Sequence, residues 1–214
     1  MNTNIDFWER VVKNPTEPYR VLFEKENEYL HKQIKPNSSL LDIGCGDGRT
    51  ILSLLDITTN IKAIDNDPKA LSDAKNNLKA YPSVSLQLAD AQHIPFDNKT
   101  FDYAVLMMTL VNFADNKEKI LTEMKRVLKD DGKIIISVYA DTAIEERLTM
   151  YKQIEVPIKE IKKGCVIFDE SVGAHISEQF SKKEVEDLVS KVGLNIANYK
   201  EVGKLAYIYT LNKS

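Results

Sequence analysis

The fold is decided by one stretch of the chain, Leu40-Leu41-Asp42-Ile43-Gly44-Cys45-Gly46-Asp47-Gly48. Its first four residues form an apolar run that is typical of a buried strand. Gly44 and Gly46 permit a tight turn in which the backbone can approach a ligand, because no Cβ stands in the way. A helical pattern follows, and the unpaired N–H groups at a helix start favour a carboxylate or a phosphate. The stretch therefore predicts a glycine loop that binds a nucleotide-like ligand.

Short apolar runs alternate with helical patterns on both sides of this loop, which is typical of a parallel sheet with helices on both faces. The last two runs are joined by Gly203-Lys204 and predict an antiparallel hairpin. We therefore expect a doubly wound α/β fold with a mostly parallel, seven-stranded sheet, in which each of the first five strands is apolar enough to be covered on both faces. The predicted strands are residues 40–43, 61–64, 84–88, 103–107, 133–139, 194–199 and 205–211, and the predicted crossover helices are residues 49–55, 68–80 and 117–129.

The remaining segments are expected to surround this core within one domain, because single domains commonly hold about 100 to 200 residues. A helix is predicted over residues 18–34, and the pair Ser181 and Glu184 forms a capping box that predicts a helix start. Asp131-Gly132 is interpreted as the end of the third crossover helix. The expected divisions are an N-terminal helical cap at 1–37, a ligand-binding core at 38–140, a lid insertion at 141–180, and a C-terminal helix with the hairpin at 181–214.

The composition predicts a globular protein of a reducing compartment. The chain is 43% hydrophobic and 29% charged, and its two cysteines are too few for a disulfide framework or a structural zinc site. The net charge of -3 gives no general attraction to phosphate backbones or anionic lipid. No apolar run reaches the ~18 residues of a membrane span, and no signal peptide is visible. We expect a cytoplasmic protein that acts on a small molecule, with no membrane or nucleic-acid partner and no metal.

Acidic residues accompany the first three predicted strands. Asp65 ends the second strand 21 residues after Gly44, where a carboxylate can accept both hydroxyls of a ribose. Asp42 lies in the first strand and Asp90 ends the third. The carboxyl ends of successive parallel strands converge on one crevice, so these carboxylates are expected to meet there. A solvated turn is the alternative for Asp65, whereas the following helix start accounts for Asp67.

Together these motifs resemble those of class I S-adenosylmethionine-dependent methyltransferases, over residues 38–140 and weakly in the hairpin. Residues 42–48 resemble the family's glycine motif, Asp65 its ribose-binding acid, Asp90-Ala91 its adenine-edge motif, and residues 101–105 its fourth strand. The resemblance implies S-adenosylmethionine as methyl donor and S-adenosylhomocysteine as product. The cofactor-binding residues that it implies are Asp42, Gly44, Cys45, Gly46, Asp65, Asn66, Asp90, Ala91, Leu106 and Met107.

A nicotinamide-dependent oxidoreductase is the alternative within this fold. Its glycine fingerprint has Gly or Ala at the position that Arg49 occupies here. Asp90 has no standard role in that fingerprint, and such enzymes usually carry a larger substrate domain. The residues therefore favour methyl transfer.

Methyl transfer needs alignment more than a dedicated base, because the sulfonium donor is already activated. A base is required if the acceptor is a hydroxyl or a protonated amine, and His93 and His175 are the weak candidates, ahead of His31. Many small-molecule members of the family have a histidine after the fourth strand, where this chain has Val111-Asn112-Phe113. Asn112 could only hydrogen-bond or position an acceptor.

The N-terminal segment offers further contacts. Tyr19-Arg20 is predicted to reach the cofactor carboxylate or the acceptor, whereas Phe7 and Trp8 are interpreted as residues that pack on the core.

Two other functions remain open. RNA or protein methylation is suggested by Lys159, Lys162 and Lys163, although Glu155 and Glu160 make this segment typical of a solvated helix face. A cofactor-binding module without catalysis is the other alternative, because of the missing histidine. The preferred function is transfer of a methyl group from S-adenosylmethionine to an O, N or C atom of a small molecule. The acceptor and the oligomeric state do not follow from the sequence.

Overall fold

The computed structural model describes residues 7–172 and 175–214. Helices and strands alternate through most of this range, as the pattern predicts. Their bounds are α1 Phe7–Lys13, α2 Glu17–Gln33, β1 Leu40–Ile43, α3 Arg49–Leu54, β2 Ile61–Asp65, α4 Pro68–Asn77, β3 Ser85–Leu88, β4 Phe101–Met107, a 3₁₀ helix Leu110–Asn112, α5 Lys117–Val127, β5 Leu128–Ala140, α6 Ile144–Gln153, β6 Ile158–Lys162, β7 Cys165–Phe168, β8 Ile176–Ser177, β9 Gln179–Phe180, α7 Lys182–Lys191, β10 Leu194–Val202 and β11 Ala206–Lys213.

The main sheet has the strand order β10-β11-β5-β4-β1-β2-β3, and the short strand β9 also pairs with β5. Strands β1 to β5 run parallel to their neighbours, while β11 is antiparallel to both β5 and β10. The predicted fold class is therefore confirmed, with the C-terminal hairpin at one edge. The order reverses beside β1, and the crevice at such a switch point is where open α/β sheets bind ligands.

Burial follows the position of each strand in the sheet. All four residues of the central strand β1 are buried, as are Tyr103–Met107 in β4. The prediction that the first five strands are covered on both faces is wrong for β3, which lies at the sheet edge and leaves Leu88 56% exposed. An edge strand has a neighbour on one side only, so the apolar run alone does not predict its burial.

The junction between α5 and β5 also differs from the prediction. Helix α5 ends at Val127, and Leu128 is already extended. Asp131-Gly132 therefore does not end the helix; Gly132 lies inside β5, where the ladder to β4 shifts register. A Cβ at Gly132 would stand 3.1 Å from the carbonyl oxygens of Phe101 and Asp102, so the glycine permits close backbone approach.

The insertion at 141–180 contains α6, strand β9 and a separate antiparallel sheet of β6, β7 and β8. Arg147 of α6 is fully buried at its centre. Its guanidinium donates to the carbonyl oxygens of Gly164 and Ser177 and to Oε1 of Gln179. One side chain thus ties the parts of the insertion together. The capping box of Ser181 and Glu184 that starts α7 is confirmed.

Two helices precede the sheet. The predicted helix at 18–34 is α2, whose Tyr29 hydroxyl lies 2.9 Å from Oγ1 of Thr210 in β11. Helix α1 was not predicted as a separate element. Its Phe7 packs against Tyr151 and Phe168 of the insertion, in keeping with the packing role predicted for it. Within the described ranges, no helix has the length and apolar character required to cross a membrane.

Candidate active site

A cavity of about 770 Å³ opens at the carboxyl ends of β1, β2 and β4. The glycine loop, the start of α4 and helix α1 surround it, together with His175 from the insertion. The predicted cofactor-binding residues that line the cavity are Gly44, Cys45, Gly46, Asp65, Asn66, Ala91 and Met107.

The glycine loop faces the cavity through backbone of positive φ. Gly44 has φ 67°, and a Cβ there would overlap the side chain of Thr109. Gly46 has φ 55°, and a Cβ there would meet no atom within 4 Å. Position 44 therefore requires glycine for packing and conformation, whereas position 46 requires it for conformation and leaves open space for a ligand.

Asp65 is fixed at the end of β2. Its Oδ2 accepts a hydrogen bond of 2.8 Å from Gly46 N, and its Oδ1 accepts one of 2.9 Å from Asp67 N. Burial raises the pKa of this carboxyl, although these backbone hydrogen bonds act in the opposite direction. Each carboxylate oxygen can accept more than one hydrogen bond, so Asp65 can still receive the hydroxyls of a ligand.

Asp42 lies beneath the loop and does not line the cavity. It is 2% exposed, and its Oδ2 accepts no hydrogen bond from the residues that the structure describes. Burial raises the pKa of Asp42 to about 7; the Arg49 guanidinium opposes this shift, while the nearby Asp65 and Glu26 carboxylates add to it. Burial also raises the pKa of the Cys45 thiol, which suits its interpretation as a small filler and not a nucleophile.

A chain of hydrogen bonds that sequence reasoning missed runs under the cavity. Arg49, which lines the cavity, donates to Oε2 of Glu26 at 2.9 Å, and Oε1 of Glu26 accepts from Ser137 Oγ at 2.6 Å. Ser137 Oγ in turn accepts from Met108 N at 2.8 Å, and Met108 has φ 51°. Glu26 lies in a strongly polar helix, so no sequence pattern distinguished this buried carboxylate from its exposed neighbours.

The segment after β3 contributes fewer residues to the cavity than predicted. Ala91 lines the cavity, whereas Asp90 stands beside it and accepts a hydrogen bond of 2.8 Å from Gln92 N. The side chain of His93 is 77% exposed, and its Nδ1 lies 4.0 Å from Asp90 Oδ2. The structure therefore places His93 outside the cavity.

Three other predicted residues also lie away from the cavity. Leu106 is completely buried, and Tyr19 is buried with its hydroxyl 2.9 Å from that of Tyr139. Arg20 is exposed and forms ion pairs with Glu17 and Glu24 in its own helix. The structure does not bring Tyr19 and Arg20 to the site. Helix α1 borders the cavity instead of α2.

One end of the cavity has mostly apolar walls, and we call it the aromatic end. His175, an exposed residue of the insertion, lines this end, and its carbonyl oxygen accepts a hydrogen bond of 3.0 Å from Phe168 N. The insertion is also fastened to the 3₁₀ helix, because Glu178 N donates to Val111 O at 2.8 Å. The residues of the aromatic end are Phe7, Trp8, Val12, Met108, Asn112, Phe113 and His175.

Comparison with known proteins assigns the family. A family profile described as "Methyltransferase domain" matches residues 41–136. The chain is 35% identical over 113 residues to the ubiquinone/menaquinone biosynthesis C-methyltransferase UbiE of Citrifermentans bemidjiense, covering 49% of this chain and 48% of that protein. The chain is a class I S-adenosylmethionine-dependent methyltransferase.

Two further relatives cover nearly the whole methyltransferase. MJ1252 of Methanocaldococcus jannaschii is 30% identical over 200 residues, covering 89% of this chain and 76% of that protein. The crystal structure of PH0226 from Pyrococcus horikoshii superposes with a TM-score of 0.74 at 26% identity, covering 94% and 93% of the two chains. By contrast, the methyltransferase spans about half the length of UbiE.

The cavity of the methyltransferase fits its donor, S-adenosylmethionine. The open space at Gly46 lets a ligand lie close to the backbone, and the carboxylate of Asp65 can accept hydrogen bonds from ribose hydroxyls. The donor is a sulfonium with an ammonium group, and the carboxylates of the lining suit its positive charges. The acidic lining residues on the sheet side are Asp47, Asp65, Asp67 and Asp73.

Proposed function

We propose that this methyltransferase transfers the methyl group of S-adenosylmethionine to an oxygen, nitrogen or carbon atom of a small molecule. The main support is the cavity of about 770 Å³, whose aromatic end is lined by α1, the residues after β4 and His175 of the insertion. Pockets of roughly 300 to 1,000 Å³ are typical of small-molecule sites. UbiE is named for ubiquinone and menaquinone biosynthesis, which supports a small-molecule acceptor over RNA or protein.

The donor is assigned to the sheet side of the cavity. In this arrangement the ribose hydroxyls bind Asp65 and the adenine lies beside Ala91, near Asp90. The methionine part extends along Gly44 and Gly46 toward Met107. Asp42 supports the loop from below, at a distance from the ligand.

Arg49 is proposed to receive the donor's carboxylate, in place of Arg20. Arg49 lines the cavity, and its guanidinium lies 4.4 Å from the ring centroid of Phe23. The ion pair with the buried Glu26 holds it there, and only one of its five N–H donors is needed for that hydrogen bond. The contact set therefore includes Arg49 and excludes Tyr19 and Arg20.

The methyl group arrives activated by the sulfonium, so the chain's main task is to align the acceptor. Alignment can supply about 7 to 11 kcal/mol of barrier reduction, from effective molarities of roughly 10⁵ to 10⁸ M. His175 is the proposed base where the acceptor must lose a proton, because it lines the aromatic end. His93 is a poorer candidate, since it is not among the residues that line the cavity.

The surface of the insertion argues against a large anionic substrate. Lys159, Lys162 and Lys163 belong to the exposed β6 hairpin, and Lys162 forms an ion pair with Glu160. None of these lysines lines the cavity. This placement supports a small molecule over RNA.

Calorimetric titration with S-adenosylhomocysteine tests the donor assignment. We expect micromolar binding that is lost in Asp65→Ala and in Gly46→Val, whereas the exposed control Asp131→Ala binds normally. NADH serves as the control ligand. Absence of S-adenosylhomocysteine binding, or binding of NADH in its place, would contradict the assignment.

A second assay tests the acceptor class with methyl-labelled donor. Label is expected in a pool of small aromatic and heterocyclic molecules, and not in total RNA or in protein. Label that appears only in RNA or protein would refute the small-molecule proposal. Donor binding without transfer to any acceptor would favour a binding module.

A further inference from the structure

The walls of the aromatic end predict the shape of its occupant. Trp8 and Val12 are four residues apart and therefore share one face of α1. Phe7 packs edge-on against Trp8, with ring centroids 5.1 Å apart. Phe113 and Met108 add apolar surface after β4. Such walls select a flat, largely apolar molecule.

The charged side chains of the cavity lining are mostly acidic. Glu9 of α1 forms ion pairs with Lys13 and with Lys69 of α4, so these two cations are already paired. The lining residues that the structure describes hold five carboxylates against three cations, so an anionic group meets net repulsion in the cavity. The carboxylates belong to Glu9, Asp47, Asp65, Asp67 and Asp73, and the cations to Lys13, Arg49 and Lys69.

Two side chains of the aromatic end can accept a hydrogen bond, Asn112 and His175, and Asn112 is the less exposed of the two. Its Oδ1 is buried and makes no hydrogen bond to the residues that the structure describes. Its backbone is fixed, because Asn112 N donates to Thr109 O at 3.1 Å. Asn112 lines the cavity, so rotation of its amide can bring Oδ1 to face a ligand without breaking a hydrogen bond of that oxygen. A buried carbonyl without a partner is costly, so a donor group in this position is stabilising.

We infer that the methyl acceptor is an uncharged heteroaromatic or phenolic molecule whose N–H or O–H group donates to Oδ1 of Asn112. The inference rests on the proposed function and specifies its acceptor. Asn112 then selects acceptor molecules that carry an N–H or O–H donor, while Trp8 and Phe113 flank the aromatic ring of the acceptor.

The transfer step balances without a further reactant. A lone pair of the acceptor's nitrogen or oxygen forms a bond to the methyl carbon while the carbon–sulfur bond breaks. The electrons of that bond stay on sulfur, which gives S-adenosylhomocysteine. The product at first keeps the N–H or O–H proton that Oδ1 of Asn112 orients during the attack. The methylated, positively charged product then releases that proton to the imidazole of His175.

Three probes that differ in one group test this inference: benzimidazole, 1-methylbenzimidazole and benzimidazole-5-carboxylate. Trp8 is the only tryptophan of the chain, so its fluorescence reports binding at the aromatic end. Binding is measured on protein saturated with S-adenosylhomocysteine. We expect benzimidazole to bind at least about ten-fold more tightly than the other two probes, because one lacks the N–H and the other carries a charge.

Variants of Asn112 separate its hydrogen bond from the shape of the site. Asn112→Leu is expected to reduce the difference between benzimidazole and 1-methylbenzimidazole to less than about two-fold. Asn112→Asp keeps an acceptor oxygen and is expected to retain the preference, as is the exposed control Asn195→Leu. The carboxylate probe should stay weak in every variant except Asn112→Asp, where it should be weaker still.

Each remaining outcome overturns the inference. These are equal or tighter binding of the carboxylate probe, an N–H preference that survives in Asn112→Leu, or no binding of any probe to the loaded protein. Failure of S-adenosylhomocysteine to bind in the first step is a separate result and would refute the proposed function itself.

Discussion

Replacing Asp42 by asparagine is expected to stabilise the protein increasingly as the pH rises. The folded chain raises the pKa of this buried carboxyl from 3.8 to about 7. Between these values the folded state keeps a proton that the unfolded chain has lost. Stability therefore falls as the pH rises through this window, and the full loss is present above about pH 7. Asparagine has no proton to lose, so it removes this pH dependence.

The magnitude follows from the difference between the two pKa values. About three pKa units correspond to about 4 kcal/mol, which is how much lower the free energy of unfolding of the wild type is at high pH than at low pH because of Asp42. Of this, about 2.5 kcal/mol is lost between about pH 5 and about pH 8, because the unfolded chain is already mostly ionised at the lower value. The buried amide of asparagine has its own cost, but that cost is independent of pH.

Urea unfolding, followed by circular dichroism at several pH values, measures the effect. The advantage of Asp42→Asn over the wild type should grow by about 2.5 kcal/mol across this pH range, while the exposed control Asp131→Asn shows no comparable trend. Groups common to both proteins cancel in the difference. A difference that stays constant with pH would refute the reasoning, because it would mean that Asp42 is as readily ionised in the folded chain as in the unfolded one.

Three further substitutions test other parts of the structure. Gly44→Ala should lower the free energy of unfolding by more than about 2 kcal/mol, and Gly46→Ala by about 1 kcal/mol, because only the first adds a clash with Thr109 to the cost of positive φ; urea unfolding compares them. Glu26→Gln should weaken S-adenosylhomocysteine binding about ten-fold, since Arg49 loses its ionic partner, and unchanged calorimetric affinity would contradict this. Arg147→Met should lower the free energy of unfolding by about 3 kcal/mol by leaving buried carbonyls unpaired, and should speed proteolysis within residues 141–180; a change confined to cleavage elsewhere would argue against its role.

Local patterns predicted the elements whose causes lie within a few residues. The glycine loop from Gly44, the helix start at Pro68 and the capping box at Ser181 occur as predicted, because glycine, proline and cap geometry are local properties. The parallel direction of strands β1 to β5 also follows from the alternation of strands and helices, since parallel strands need crossover connections.

The remaining features depend on contacts between distant segments. Glu26 is buried because Arg49 and Ser137 meet it from other elements, and Gly132 is required because β4 approaches it. Arg20 lies next to the buried residue Tyr19 in sequence, yet it is on the exposed face of α2. Neither propensity nor spacing records such encounters, so the sequence pattern predicts Arg20 at the site, whereas Arg49 is the arginine that lines the cavity.

The insertion has a consequence for how such enzymes diverge. Arg147 holds together residues of the insertion itself, namely Gly164, Ser177 and Gln179. Gln179 also joins the main sheet through β9, but the glycine loop and Asp65 belong to other elements and take no part in these hydrogen bonds. Mutations on the inner surface of the insertion can therefore accumulate without disturbing the donor site proposed at Asp65. Descendants of one ancestral gene can in this way drift toward new acceptors while they inherit the same donor.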